Sequence, residues 1–265
     1  VTATYKPVLR YPGSKWNLAD WIISHLPPHI HYLEPYFGSG AVLFCKPRSK
    51  IETINDLNGD VVNLFRVLRE RPQELADLIY MTPWARSEYR ESYQQTGDKM
   101  EDARRFIVRC WQAHGARLNT SCGWKNEGCG AQGKIVVHVW RDLPERILAG
   151  AERLRGVQIE SAPAVDVVKR LAGPHVLVYA DPPYLNVAPL YAERTSLDEH
   201  REMLTVLNEF PGPVLLSGYA NDLYADELGE WTEHHKSANA DGGRDRTETL
   251  WLNPIAANAR EGMLF

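Results

Sequence analysis

The sequence predicts an α/β fold: a mostly parallel sheet covered on both faces, closed by an antiparallel C-terminal hairpin and interrupted by a mainly helical insertion. Three observations predict it. Short apolar runs alternate with helical segments, as parallel strands and their crossovers do. Two strand-like runs near the end flank a Gly-rich loop. Between Trp84 and Arg155 the rhythm breaks and the charge changes sign, with 13 Lys+Arg against 9 Asp+Glu there and 17 against 25 elsewhere.

The parallel strands are expected at "HYLE" (31–34), "IETIND" (51–56), "HVLVYAD" (175–181) and "PVLLSGY" (213–219). After the second, Val61, Val62, Leu64, Phe65 and Leu68 share one side of a helix from Asp60 to Arg69. "WTEHHKS" and "TETLWLN" around "ANADGGRDR" read as the closing hairpin. In the insertion, Met100, Ala103, Ile107, Cys110, Trp111 and His114 recur at helical spacing. A glycine- and asparagine-rich tip follows. Asp142 then caps a helix with Pro144 in its first turn and Gly156 just past its end. The division expected is a catalytic domain of residues 1–83 and 157–265 around an inserted subdomain, 84–156.

Composition is that of an ordinary globular chain of 265 residues with net charge −4. No apolar run reaches membrane-spanning length, and "VTATYKPVLRYPGSK" has no apolar signal core. Four cysteines without a CxxC pair read as reduced thiols, so a cytoplasmic protein is expected. Cys110, His114, Cys122, Cys129 and His138 fit no zinc spacing, and no metal is expected. His234 and His235 are adjacent in a strand, face opposite ways and cannot chelate one ion together. The basic middle of an acidic chain fits contact with nucleic acid over one region, or simply a solvated helical insert.

Chemistry concentrates at strand ends. Phe37-Gly38-Ser39-Gly40 follows the first strand, where glycines let the backbone turn sharply and approach a ligand. The residues after Gly40 do not complete G-x-G-x-x-G, which points away from a pyrophosphate and toward a nucleoside cofactor; alone, the stretch is also a plain tight turn. Asp56 ends the next strand, 18 residues after Gly38, where a carboxylate can accept from both hydroxyls of a ribose or cap the following helix. Tyr11 and Lys15 flank a turn at Gly13, an aromatic and a cation suited to a carboxylate and its neighbouring group; alone, this is a loop with a surface lysine.

"ADPPYL" (180–185) closes the set. The prolines carry no N–H and stiffen the segment, so the Asp181 carboxylate and a main-chain carbonyl, that of Asp181 or Pro182, are two pre-aimed acceptors. Tyr184 offers a ring face for stacking. Asp181, Pro182, Pro183 and Tyr184 together suit a heteroaromatic ring with an exocyclic amine. Two hydrogen bonds accepted from that amine favour a pyramidal nitrogen, which becomes a nucleophile when aligned with an electrophilic methyl. The sulfonium of S-adenosylmethionine carries such a methyl.

In their order, "RYPGSK", "EPYFGSGAVLF", "INDLNGDVV", "ADPPY" and "PVLLSGY" resemble the motifs of the Dam-like N6-adenine DNA methyltransferases, phage- and prophage-borne members especially. The resemblance runs from Leu9 to about Asn253. It implies a Rossmann-like methyltransferase fold and S-adenosylmethionine contacts at Tyr11, Lys15, Glu34, Pro35, Phe37, Gly38, Ser39, Gly40, Asp56 and Asp181. It also implies that the DPPY segment holds an adenine flipped out of double-stranded DNA. Tyr11 stands where many members have tryptophan, which keeps the aromatic face. The insertion aligns with no member of known specificity. Within it, Arg117, Asn119, Ser121, Lys125, Asn126, Gln132 and Lys134, with Arg244 and Arg246 in the hairpin loop, are candidate DNA contacts by residue chemistry. A monomer is expected. Cytosine-N4 in DNA, adenine in RNA, and a catalytically inactive DNA-binding module are the alternatives; aspartate before PPY leans against the first two.

Overall fold

The computed structural model describes residues 5–114, 123–125, 136–185, 196–239 and 245–261. Its strands are β1 (His31–Glu34), β2 (Ile51–Asn55), β3 (Gln158–Glu160), β4 (Val176–Ala180), β5 (Val214–Gly218), β6 (Thr232–Asn239) and β7 (Asp245–Leu252). They form one sheet in the order β3-β2-β1-β4-β5-β7-β6. The first five run parallel; β7 pairs antiparallel with β5, and β6 with β7. This is the expected mostly parallel sheet with a closing hairpin.

The described helices, in order, are α1 (Ala19–Ile23), α2 (Ala41–Cys45), α3 (Gly59–Glu70), α4 (Pro72–Met81), α5 (Arg86–Glu91), α6 (Lys99–Gln112), α7 (Val136–Arg141), α8 (Leu143–Arg153), α9 (Ala164–Arg170), α10 (Leu197–Asn208), α11 (Asp222–Glu227) and α12 (Pro254–Glu261). Among the described residues, no helix is long and apolar enough to cross a membrane.

Period-two alternation splits the sheet between two cores. Tyr32, Leu177, Tyr179, Leu215, Leu250 and Leu252 face one, and Leu33, Val176, Val178, Val214, Leu216 and Trp251 the other. Every residue of β4 and β5 is buried, as central strands covered on both faces require. The first core also takes Phe106, Ile107 and Trp111 from α6 and Leu143, Ile147 and Leu154 from α8 and its end. These helices, between Trp84 and Arg155, therefore pack into the same interior as the sheet. A buried cluster fastens α8 further: Arg153 donates to both oxygens of Glu52 on β2 at 2.6 and 2.8 Å, and Lys46 donates to Glu52 at 2.6 Å.

Three local expectations change. Asp142 stands at the start of α8 but makes no capping bond; its carboxylate lies 3.8 Å from Arg146. His114 lies past the end of α6 and is exposed, because the helix stops at Gln112. β3 has no counterpart among the expected strands, being three residues with one apolar side chain at the sheet edge.

Candidate active site

Strand order reverses between β1 and β4, which opens a crevice at the carboxyl ends of the strands. β1 ends there on Glu34, β2 runs into Asp56, and β4 runs into Asp181. A cavity of about 480 Å³ occupies the crevice, within the usual size of ligand pockets. Tyr11, Lys15, Glu34, Pro35, Phe37, Gly38, Ser39, Asp56 and Asp181 all line it, as does Pro183. Gly40, Pro182 and Tyr184 are not among its lining residues.

The glycine turn explains Gly40. Its φ is +69°, and a Cβ there would lie 2.3 Å from Phe37 Cζ. Gly40 thus exists for the turn and for aromatic packing. Gly38, at φ +50°, lines the cavity, with Tyr11 packed 3.2 Å from where its Cβ would be. Two further bonds hold the turn: Ser14 and Ser39 hydroxyls lie 2.8 Å apart, and the Phe37 amide donates to the Asn55 carbonyl at 2.9 Å. The Tyr11–Lys15 loop is therefore stitched directly onto the turn.

Asp56 completes this wall. Its carboxylate accepts from the Gly38 amide at 2.8 Å and from the Asn58 amide at 2.9 Å. It does not cap α3; Asn58 does, accepting from the Asp60 amide. Asn55 fixes the opposite wall by donating to the Pro35 and Ala162 carbonyls and accepting from the Ala162 amide.

Deeper in the crevice, one lysine serves several acids. Lys15, 6 % exposed, places Nζ 2.9 Å from Asp181 Oδ1, 2.9 Å from the Gly13 carbonyl and 3.6 Å from Glu248 Oε1. A surface lysine is excluded. The Tyr184 hydroxyl shares its one proton between Asp181 Oδ1, at 3.1 Å, and Glu248. Lys15 sits 4.7 Å from the Tyr184 ring centroid. Burial raises the Asp181 carboxyl above the usual range, while Lys15 and the Tyr184 hydroxyl oppose it by favouring the anion. Glu34, fully buried, is pushed up to about 8 by burial, although the Tyr32 hydroxyl donates to it at 2.8 Å.

The sequence reading missed two residues here. Glu248 on β7 is 3 % exposed. Its signal was present: Glu248, Leu250 and Leu252 alternate, so the acid shares a face with two core leucines. His200 is buried on α10, with Nε2 3.1 Å from the Pro183 carbonyl and Nδ1 3.0 Å from the Tyr224 hydroxyl. A carbonyl only accepts, so Nε2 carries the proton and Nδ1 accepts from Tyr224. His200 thereby clamps the backbone just beyond Pro182. Tyr184 is further set edge-to-face on Tyr219, centroids 4.7 Å apart.

Of the candidate DNA contacts, Arg117, Asn119, Ser121, Asn126, Gln132, Lys134 and Arg244 lie outside the described residues. Arg246 is on β7. Lys125 is fastened at the base of the tip: its amide donates to the Gln112 carbonyl, its carbonyl accepts from Trp84 Nε1, and its ammonium nitrogen is buried. Arg86 lies over the Trp124 ring beside it, at 4.9 Å.

A family model described as D12 class N6 adenine-specific DNA methyltransferase matches residues 11–239. A type II methyltransferase of Lactococcus lactis subsp. cremoris is 29 % identical over 101 residues, 37 % of this chain and 34 % of that protein. A DNA adenine methylase of Serratia marcescens is 25 % identical over 253 residues, 85 % of this chain and 86 % of its own. A DNA N-6-adenine-methyltransferase of Escherichia phage P1 is 27 % identical over 75 residues, 28 % of this chain and 10 % of that one.

Proposed function

The chain belongs to the D12 class N6 adenine-specific DNA methyltransferases, and from that membership we propose which of its residues hold the cofactor and the target base. S-adenosylmethionine, when bound, supplies an electrophilic methyl group. The residues of the cavity suit it. Asp56 lines the cavity, held in place by the Gly38 and Asn58 amides, and is the acceptor for ribose hydroxyls. Gly38 has no side chain to fill the space between that acid and Tyr11. Lys15 is the cation beside the same space.

Asp181 carries the reading. Among the described residues, its two recorded side-chain partners, Lys15 and Tyr184, both fall on Oδ1. Oδ2 accepts from the adenine amine, the Pro182 carbonyl takes the second N–H, and His200 keeps that backbone in place through Pro183. With both N–H bonds so directed, the nitrogen lone pair is aimed at the methyl group, and alignment supplies the main acceleration. The base reaches this site by leaving the duplex. One copy of the chain acts on double-stranded DNA in the cytoplasm, reading its target through the tip between α6 and α7.

DNA from cells expressing the protein tests this. Wild type should leave N6-methyladenine in digested DNA, and Asp181→Ala should not. Absence of the mark with wild type, or its persistence with Asp181→Ala, overturns the reading.

A further inference from the structure

Glu248 is out of place energetically. β7 is covered on both faces, and at positions 250 and 252 the face it shares carries core leucines. A carboxylate in that row is costly unless its partners hold it. Because β7 runs antiparallel to β5, with Thr249 opposite Gly218, its early residues lie where the parallel strands end. Glu248 thus arrives at the crevice from the side opposite the glycine turn.

There it meets the two donors that also serve Asp181. The Tyr184 hydroxyl shares its one proton between the two carboxylates. Lys15 Nζ is 2.9 Å from Asp181 Oδ1 and 3.6 Å from Glu248 Oε1. We propose that Glu248 is a positioning residue for methyl transfer: it anchors the Lys15 ammonium and the Tyr184 hydroxyl, so that both hold Asp181 by Oδ1 and leave Oδ2 to the substrate amine. This rests on the functional reading above and extends it to a residue on the closing hairpin. Without the Glu248 charge, Lys15 and Tyr184 each lose an acidic partner, and the aim of the Asp181 carboxylate is no longer fixed from behind.

The charged and titratable groups acting on it are Lys15 from the first loop, Asp181 and Tyr184 beyond β4, and Tyr179 on β4. Lys236 lies opposite in register on β6, its ammonium 5.8 Å from the Trp21 ring. Asp181 and Glu248 are like charges sharing donors, and the Asp181 charge holds the Glu248 carboxyl up.

The experiment uses purified full-length protein, duplex DNA and S-adenosylmethionine, with kcat and KM measured from pH 5.5 to 9. Glu248→Gln, which keeps size and an acceptor, should fold, bind S-adenosylmethionine within about threefold of wild type, and lose roughly 10- to 100-fold in kcat, as misaligned groups do. Its kcat should fall while KM for S-adenosylmethionine stays within about threefold, a split that mere loosening of the fold does not produce. Unchanged kcat in Glu248→Gln, with wild type active, overturns this proposal alone. Wild type that transfers no methyl group overturns the underlying reading as well. Glu248→Leu adds an apolar control: activity equal to wild type contradicts the proposal, and if it fails to fold, Glu248→Gln carries the test.

Discussion

Lys15 Nζ lies 2.9 Å from Asp181 Oδ1, joining the first loop of the chain to the exit of β4. With Glu248 added, one buried cation faces a partly buried and a buried carboxylate, the side chains of Lys15, Asp181 and Glu248 being 7 %, 17 % and 4 % exposed. Removing a partner from such a group costs about 3–5 kcal/mol, because the remaining charges stay buried. Lys15→Met should therefore lose about 3 kcal/mol of unfolding free energy at pH 7.5, read by urea denaturation. Without Lys15, both folded-state carboxyls rise further above their unfolded values. Stability then falls as pH rises through that window, so the deficit should shrink toward pH 5. A deficit equal at pH 5 and pH 8 contradicts this account.

Asp56 ties the glycine turn to the start of α3. Asp56→Ala leaves the Gly38 and Asn58 amides without that acceptor and removes the acceptors assigned to the ribose. S-adenosylmethionine affinity should fall at least about tenfold, equivalent to 1.4 kcal/mol, by calorimetric titration. Asp56→Asn should fall between alanine and wild type. Equal affinities would remove Asp56 from the cofactor wall.

The two turn glycines should separate stability from binding. Gly40→Ala forces a Cβ to within 2.3 Å of Phe37 at φ +69°, so it should cost about 2–4 kcal/mol of stability. Gly38→Ala meets only Tyr11, at 3.2 Å, but borders the cavity. It should cost less stability and more cofactor affinity. Thermal unfolding and titration of both variants check the ordering; a reversed order contradicts it.

These residues also show what sequence pattern carries and what it omits. The runs at β1, β2, β4 and β5 are legible because central parallel strands bury both faces. The glycine turn, Asp56 and Asp181 are legible because chemistry collects at the ends of such strands, and one cavity brings them together. β3 is not legible, since Gln158 and Glu160 flank a single Ile159 and pairing with β2 alone makes it a strand. His200 sits among Asp198, Glu199, Arg201 and Glu202, so its burial follows only from how α10 docks on the sheet. Glu248 was visible as alternation, but alternation does not tell which face of a hairpin strand is covered when both are.

Glu34 gives a pH signature. Burial raises its carboxyl from 4.5 to about 8, so folding favours its protonated form. A raised carboxyl is harmless below its unfolded value and increasingly destabilising as pH rises toward its folded one. Glu34→Gln, which stays neutral, should gain stability relative to wild type between about pH 5 and 8.5, the gain levelling off above that. Paired melting curves across this range check it, and a difference that does not change with pH refutes it.

The account turns on Asp181 as the acceptor that aims the adenine amine. Its most direct test is single-turnover transfer of labelled methyl from S-adenosylmethionine to duplex DNA by wild type and Asp181→Asn, both saturated with cofactor and DNA. The account predicts labelled N6-methyladenine with wild type and a rate at least about 100-fold lower with Asp181→Asn, on the scale of losing a preorganised hydrogen-bonding group. Equal rates for the two proteins would contradict it.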